Sequence, residues 1–271
     1  MFVLCSIYFI FILFVQSNTA QESEYDYIVA VRSYRTKQFL FSGIIVSRRI
    51  VLTTCSSVAN FTIDGLPYVV VDVKDLTVNL GIGLIFGGPL KMVLVESVGF
   101  HRECKNWHGM LSHDLGVINL AENITIDSES AMRFTGRLEK TVTDLRSLAS
   151  SGATFDVHGW SVKFNTLPTF EKANFKLYDM DACVKYFCYP VHEKCYSTDK
   201  LCGIGPSEIC GNGVGSAVIS DGVLWGITSR VFNPCSQATI SIVTFFNSAE
   251  IDEMINNAIK SFHTTPFETI V

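Results

Sequence analysis

The sequence predicts an all-β protein that is exported from the cell, and three observations carry this prediction. Short segments of apolar and β-branched residues recur along the chain, and such segments favour strands over helices. The chain starts with an apolar run, and the part that follows carries an even number of cysteines. With 271 residues, 48% of them hydrophobic, it can bury a sizeable core as one compact unit or two small lobes.

The strand-like segments are separated by turn residues and basic pairs. Leu76 to Asn79 alternates in polarity as a strand should, and a Ser-Asp-Gly turn at 220–222 precedes another apolar segment. The predicted strands cover residues 41–45, 50–54, 76–79, 90–101 and 223–228.

The N-terminal run from Phe2 to Val15 has the length of the apolar core of a signal peptide. Ala20 is a suitable small residue before a cleavage point. No Lys or Arg precedes the run, so an uncleaved anchor is the alternative, although the run is short for a membrane span. We expect a signal peptide at 1–20, a short segment at 21–27 and a secreted protein.

The cysteines predict a disulfide framework, because an even number in an exported chain is typical of one. No Cys-x-x-Cys occurs and the six histidines show no ligand spacing, so we expect no metal and no cofactor. Spacing alone does not determine the pairing. Beyond Cys5 the cysteines are Cys55, Cys104, Cys183, Cys188, Cys195, Cys202, Cys210 and Cys235.

The charge balance bears on partners. The formal net charge is −5, without a long run of one sign, which argues against nucleic acid and anionic membrane surfaces as partners. We therefore expect an ordinary solvated surface and an extracellular protein as partner. Asn60-Phe-Thr and Asn123-Ile-Thr are glycosylation sequons, and each marks a predicted surface site.

A glycine-rich loop between Cys210 and Ile219 is the first candidate for chemistry. Its three glycines allow a backbone that exposes amide groups and adopts positive φ, so it could cradle an oxyanion. The alternative is a tight surface turn before a hairpin.

Three motifs resemble those of the chymotrypsin/trypsin serine proteases. The glycine loop resembles their Cys-x-Gly-Asp-Ser-Gly-Gly-Pro loop, with Val214 at the nucleophile, Gly213 at the preceding Asp and Asn212 at the glycine beside the oxyanion donor. Residues 51–57 resemble Val-Leu-Thr-Ala-Ala-His-Cys, which places Ser56 at the catalytic histidine. Residues 113–120 resemble Asp-Ile-Ala-Leu-Leu-Lys-Leu and retain Asp114 as the aspartate of the triad.

Two further stretches extend the resemblance. Residues 156–160 resemble the stretch around the family's Gly-Trp-Gly landmark. Tyr27 to Val31 resembles the Ile-Val-Gly-Gly start of the mature enzyme, but Tyr27 stands where family zymogens have the basic residue before the cut. The freed amine would also lack its usual carboxylate partner, because that position is Gly213.

The resemblance implies two antiparallel six-stranded β-barrels with a C-terminal α-helix. The trypsin-like domain would cover 28–262, with barrel one at about 28–130, barrel two at about 131–247, the helix at 248–262 and a tail at 263–271. A capping pattern at Asn247 and Glu250 and an apolar stripe to Ile259 support the helix.

The resemblance also suggests disulfide pairs and a specificity pocket. It implies Cys183–Cys202 and Cys210–Cys235; Cys188–Cys195 could then close a local loop, and Cys55–Cys104 is left.

The specificity pocket implied by the resemblance would contain Glu208 at its base, with residues 229–231 as Ser-Arg-Val where the family has Ser-Trp-Gly. Ser229 could hydrogen-bond Asp114, and an Arg230–Glu208 pair that closes the pocket beside the bulky Val231 is a hypothesis. Drift after loss of activity is the alternative account.

The resemblance leads us to expect a serine protease homologue without peptidase activity. A serine cannot act as a base near neutral pH, and a valine has no oxygen with which to attack a carbonyl. Asp114 would then be a buried structural carboxylate, and His113, its neighbour on a strand, would point to the opposite face. We expect a cofactor, decoy or regulator of the type found in haemolymph or reproductive-tract secretions. A divergent hydrolase using Ser56 and Asp114, and a carrier of a small ligand in the former cleft, are the alternatives.

Overall fold

A computed structural model describes residues 27–69, 71–81, 91–107, 110–125, 147, 150–162, 167–178, 200–205, 213–220, 222–232, 239–245 and 256–257. Within these residues the chain is built mainly of β-strands; besides one short α-helix and one 3₁₀ turn, helical residues are described at 147, 150, 256 and 257. The strands are β1 Ile28–Ser33, β2 Phe39–Ser47, β3 Ile50–Thr53, β4 Ala59–Phe61, β5 Pro67–Val69, β6 Leu76–Leu80, β7 Lys91–Phe100, β8 Lys105–Trp107, β9 Met110–Ser112, β10 Gly116–Leu120, β11 Thr154–Ser161, β12 Thr169–Tyr178, β13 Lys200–Gly205, β14 Ala217–Ser220, β15 Val223–Phe232 and β16 Thr239–Phe245; the helix α1 is Cys55–Val58 and the 3₁₀ turn is Val73–Asp75.

The N-terminal strands close into a six-stranded antiparallel barrel in the order β1-β2-β3-β10-β7-β6. Closure pairs β1 with both β2 and β6, so neither edge is left open. The inward positions are filled with β-branched residues such as Val29, Ile45 and Ile118, all fully buried. The strands predicted at 41–45, 50–54, 76–79 and 90–101 correspond to β2, β3, β6 and β7 of this barrel.

The later strands pair in the cyclic order β11-β12-β13-β16-β15-β14. The longest pairing runs from Thr154 opposite Lys176 to Ser161 opposite Thr169. Two hairpins form separate two-stranded sheets, β4 with β5 and β8 with β9. The predictions of a mostly β chain and of a closed six-stranded barrel are therefore confirmed.

One apolar cluster joins the two sets of strands. It contains Leu52 and Leu115 from the first barrel and Trp160, Ala217 and Leu224 from the later strands. This shared core fixes β3 and the start of β10 relative to β14 and β15, and the candidate site lies next to it, beginning at the residue before Leu115.

The structure places residues 28–31, which resemble the start of a mature enzyme, in strand β1. Ala30 pairs with Ser42 on one side and with Asn79 on the other, so this stretch is an interior barrel strand. Tyr27, just before it, accepts the amide hydrogen of Ile45 on its carbonyl and places its hydroxyl 2.9 Å from Nδ1 of His158. Both sides of this strand are therefore hydrogen-bonded within the barrel, and the resemblance of 27–31 to the start of a mature enzyme stays a prediction.

The predicted C-terminal helix lies almost wholly outside the described residues. Only Asn256 and Asn257 are described there, and both are helical. Among the residues that the structure describes, no helix is both long and apolar enough to cross a membrane.

Candidate functional site

Asp114 is the centre of the candidate site. It lies immediately before β10 and is fully buried. The backbone turns tightly around it, since the amide of Leu115 donates to the carbonyl of His113 at 2.7 Å. His113 itself has a φ of 45°, in the left-handed region, which brings the chain into this turn.

Both carboxylate oxygens of Asp114 accept hydrogen bonds. The amide of Ser56 donates to Oδ1 at 2.8 Å, and the hydroxyl of Ser56 lies 3.1 Å from Oδ2. Ser229, on β15, donates its hydroxyl to Oδ2 as well. A buried carboxylate must be hydrogen-bonded in this way to offset its loss of hydration. The contact between Ser229 and Asp114 that the sequence analysis proposed is present in the structure.

The hydroxyl of Ser56 belongs to a small network of hydroxyl groups. Oγ of Ser56 lies 3.2 Å from Oγ1 of Thr54, which lies 2.6 Å from Oγ of Ser57. The one-turn helix α1 creates the cluster, because it brings the side chains around its start close together. None of these three hydroxyl groups can act as a base at neutral pH. The network therefore orients the hydroxyl of Ser56 and does not supply a base.

A disulfide anchors α1 beside the carboxylate. Cys55 and Cys104 are bonded, both fully buried, and Phe61 and Phe100 pack against them. Their sulfurs and the carboxylate of Asp114 lie within 4.8 Å of one another, a grouping that would otherwise suggest a metal site. Because the sulfurs are bonded to each other, they are not thiolates and do not offer metal ligands.

The segment 213–216 is held against both sets of strands. The carbonyl of Gly213 accepts the hydroxyls of Ser216 at 2.7 Å and Thr228 at 2.5 Å. The amide of Ser42, on β2, donates to the carbonyl of Val214 at 3.0 Å. Gly213 and Ser216 are buried, so this part of the glycine loop is packed inside the protein and is not a surface turn.

The backbone at Gly215 leaves no room for a side chain. Its φ is +82°, and a Cβ there would come within 2.1 Å of the carbonyl oxygen of Ser42. Its amide donates to the carbonyl of Thr228 at 2.8 Å. The positive φ predicted for this loop is therefore observed at one of its glycines.

His113 does not face the carboxylate network. Its ring stacks on that of His101, with centroids 5.0 Å apart and planes 11° apart. Its Nε2 lies 3.8 Å from Oε2 of Glu103 on the surface side. His101 is fixed by its own contacts, because its Nδ1 accepts the amide of Glu103 at 3.2 Å.

Several predicted site residues fall outside the description. Glu208 and Asn212 lie outside the described residues, and only the backbone of Arg230 and Val231, in β15, is described. The hypothesis of an Arg230–Glu208 pair therefore stays a prediction. Cys202 is in a disulfide, and its partner lies outside the described residues. All four cysteines of the predicted pairs Cys210–Cys235 and Cys188–Cys195 also lie outside them.

The family model described as Trypsin matches residues 14–250. The chain belongs to the trypsin family. Two solved structures share the fold of this trypsin-family chain: neuropsin, a serine protease expressed in the limbic system of mouse brain, and kallikrein-related peptidase 10. The first has a TM-score of 0.61 and 18% identity, covering 88% of this chain and 96% of neuropsin. The second has a TM-score of 0.60 and 17% identity, covering 89% and 98%. The comparison with curated proteins gave no match.

Two residues that hold the site of this trypsin-family chain did not emerge from the sequence. Ser42 binds the backbone of Trp160 through its hydroxyl and the carbonyl of Val214 through its amide. Thr228 holds the carbonyl of Gly213. The available signal was a small polar residue inside a strand that is otherwise apolar, since a buried hydroxyl needs a partner.

Proposed function

We propose that this trypsin-family chain is a secreted, non-catalytic serine protease homologue that binds an extracellular protein as a cofactor, decoy or regulator. The observation that carries the proposal is the position of Ser56. Its amide and hydroxyl occupy both oxygens of Asp114, the carboxylate that would orient a catalytic histidine in an active triad.

The chemistry of acyl transfer supports this proposal. An active triad needs a nucleophile and a base that takes the proton of the nucleophile, and the loss of either removes most of the rate enhancement. At the matched positions the chain has Val214 and Ser56, neither of which can act in that role. The nearest imidazole in the sequence, that of His113, stacks on His101.

The retained packing supports a binding role. Ser229 still holds Asp114, and Ser42 and Thr228 still hold the loop at 213–214. The three hydrogen bonds to the buried carboxylate of Asp114 hold α1 and β15 in fixed positions beside it. An ordered framework is what a protein-binding surface on rigid strands requires.

Export is the second part of the proposal. The apolar run of residues 2–15 has the composition of a signal peptide, and the disulfide between Cys55 and Cys104 is typical of an oxidising compartment. Among the described residues, Cys202 is also disulfide-bonded, which indicates a second disulfide.

A serine-reactive fluorophosphonate probe tests the absence of catalysis. We expect no labelling of the purified full chain, and no cleavage of peptide substrates, under conditions in which an active trypsin is labelled completely. Stoichiometric labelling that disappears in Ser56→Ala would overturn the proposal in favour of a hydrolase built on Ser56 and Asp114. The triple variant Ser56→His, Gly213→Asp and Val214→Ser is the matched control, since it restores the expected catalytic groups on the same framework.

Partner capture tests the binding role. The tagged protein is added to its native extracellular fluid, cross-linked and analysed by mass spectrometry, and recovered candidates are then titrated against the purified chain. We expect saturable binding of one extracellular protein, with active serine proteases or their inhibitors as the first candidates. If no recovered protein binds saturably, the role as a binding protein is rejected.

A further inference from the structure

The hairpin formed by β4 and β5 carries a solvent-facing pair that the proposed function does not use. Asn60 on β4 lies directly opposite Tyr68 on β5. Side chains of directly opposite residues in an antiparallel pair project from the same face, with Cβ atoms about 5 Å apart. Asn60 is exposed, and Tyr68 is 48% exposed.

The opposite face of the hairpin is occupied by packing. Ala59 is buried against the disulfide of Cys55 and Cys104, and Phe61 packs partly buried in the same cluster. On β4, Ala59 and Phe61 therefore face the disulfide cluster, whereas Asn60 and its partner Tyr68 face solvent.

We propose that Asn60 carries an N-linked glycan whose first N-acetylglucosamine packs on the ring of Tyr68. Asn60 begins the sequon Asn60-Phe61-Thr62, and its exposure means that the folded protein has room for a glycan on the side-chain amide. The apolar face of the sugar, made of C–H groups, matches the electron-rich face of an aromatic ring. The pair thus offers an attachment point at Asn60 and an aromatic packing surface at Tyr68, and the Cβ atoms of the two residues are about 5 Å apart.

The loop at the end of the hairpin makes this arrangement rigid. The amide of Thr62 donates to the carbonyl of Leu66 at 2.9 Å, and the amide of Leu66 donates to Oγ1 of Thr62 at 3.1 Å. Gly65 packs against Asn106, whose amide donates to the carbonyl of Gly65 at 2.9 Å. The glycan comes from a polyisoprenyl diphosphate oligosaccharide donor before the chain folds: the C1–O bond of the donor breaks, the C1–N bond to Asn60 forms, and the diphosphate leaves with the amide proton. The hydroxyl of Thr62 completes the sequon during transfer and accepts the amide of Leu66 in the folded hairpin.

The second sequon provides a matched comparison. Asn123 is also exposed, but it lies outside the described strands, between β10 and the buried Ile124. The amide of Ile124 donates to the carbonyl of Arg48, which fixes the backbone there. No described strand pairing places a ring opposite Asn123, so a glycan at this site should not be coupled to a tyrosine.

The test compares trimmed and removed glycans in the full chain. The inference rests on the export part of the proposed function, so the chain is produced in a glycosylating cell with its own residues 1–20 and, in parallel, with a heterologous signal peptide before Gln21. The Asn123→Gln variant is used so that Asn60 is the only sequon. One sample is treated with an endoglycosidase that leaves the first N-acetylglucosamine, and another with an amidase that removes the whole glycan.

We expect mass spectrometry to find Asn60 glycosylated in the form with the heterologous signal peptide. Trimming to the first sugar should leave Tm unchanged, whereas complete removal should lower Tm by about 2–4 °C. In Tyr68→Ser the two treatments should give the same Tm. An unmodified Asn60, no fall in Tm on complete removal, or the same fall in Tyr68→Ser overturns the inference. Failure of export with the native residues 1–20 alone counts only against the proposed secretion.

Discussion

The side chain of Asp114 binds Ser56 twice, with the amide of Ser56 2.8 Å from Oδ1 and its hydroxyl 3.1 Å from Oδ2. These two hydrogen bonds occupy the side of the carboxylate that faces α1. The contact joins α1 to the start of β10, and Ser229 joins the same carboxylate to β15. Asp114 thereby connects elements of both sets of strands, which gives it a structural role that does not depend on catalysis.

The first prediction concerns the stability that Asp114 contributes. Asp114→Ala leaves the amide and hydroxyl of Ser56 and the hydroxyl of Ser229 without their acceptor inside the protein. We expect the free energy of unfolding to fall by about 3 kcal/mol, because each buried unsatisfied group costs about 1–3 kcal/mol. Urea denaturation measures this change. Asp64→Ala, at an exposed loop position, is the control and should stay within about 0.5 kcal/mol of wild type; equal losses for both variants would contradict the structural role.

The second prediction concerns the disulfide. Cys55 and Cys104 are 49 residues apart, and a cross-link that closes a loop of this length stabilises by about 4 kcal/mol in the chain-entropy model. The double variant Cys55→Ala with Cys104→Ala should lose a free energy of unfolding of about that size, measured by urea denaturation without reductant. A loss below about 1 kcal/mol would show that packing of Phe61 and Phe100 around α1 is sufficient without the cross-link.

The strands of the first barrel could be predicted because the residues themselves favour them. Segments such as 41–45 and 50–54 are apolar and β-branched, and burial on both faces reinforces the local preference. The hairpins β4–β5 and β8–β9 were not predicted. Their strands are three residues long, too short for an alternating pattern to appear, and their positions depend on tertiary contacts such as that between Gly65 and Asn106.

The candidate site could be predicted in part. Asp114 and Ser229 were found through motif order, which fixes sequence positions but not side-chain contacts. The binding of Ser56 to Asp114 depends on the single turn of α1, which motif order does not reveal. The pair Cys55–Cys104 was predicted only as the pair left over, and the structure contains it. Residues 28–31 were matched to the family by motif alone, because their pairing with β2 and β6 is a long-range contact that the motif does not specify.

The third prediction concerns pH. The backbone N–H of Arg35 donates to Asp75, and this bond, with that from the hydroxyl of Ser33, holds the pKa of Asp75 below its ordinary value. A carboxyl group with a lowered folded pKa contributes stability that is present above its unfolded pKa of about 3.9 and is lost as pH falls through the folded pKa. Wild type should therefore be more stable than Asp75→Asn at pH 7, and the difference should shrink as the pH falls below about 4. Thermal unfolding at stepwise lower pH measures this, with Asp64→Asn as the control for loss of a surface charge. A difference that stays constant down to pH 2 would contradict the assignment.

The last prediction compares two glycines with nearly the same backbone conformation. Gly215 and Gly222 have φ values of +82° and +70°, so alanine at either position incurs the strain of the left-handed region, about 1 kcal/mol. A Cβ at Gly222 meets nothing within 4 Å, whereas one at Gly215 would come within 2.1 Å of the carbonyl oxygen of Ser42. The Gly215→Ala variant must therefore move β2 away from the loop and weaken the bond from the amide of Ser42 to the carbonyl of Val214. We expect Gly222→Ala to lose about 1 kcal/mol in urea denaturation and Gly215→Ala at least about 3 kcal/mol. If the two variants lost the same amount, the loop at 213–216 would not be packed against the first barrel as tightly as the contacts with Ser42 require.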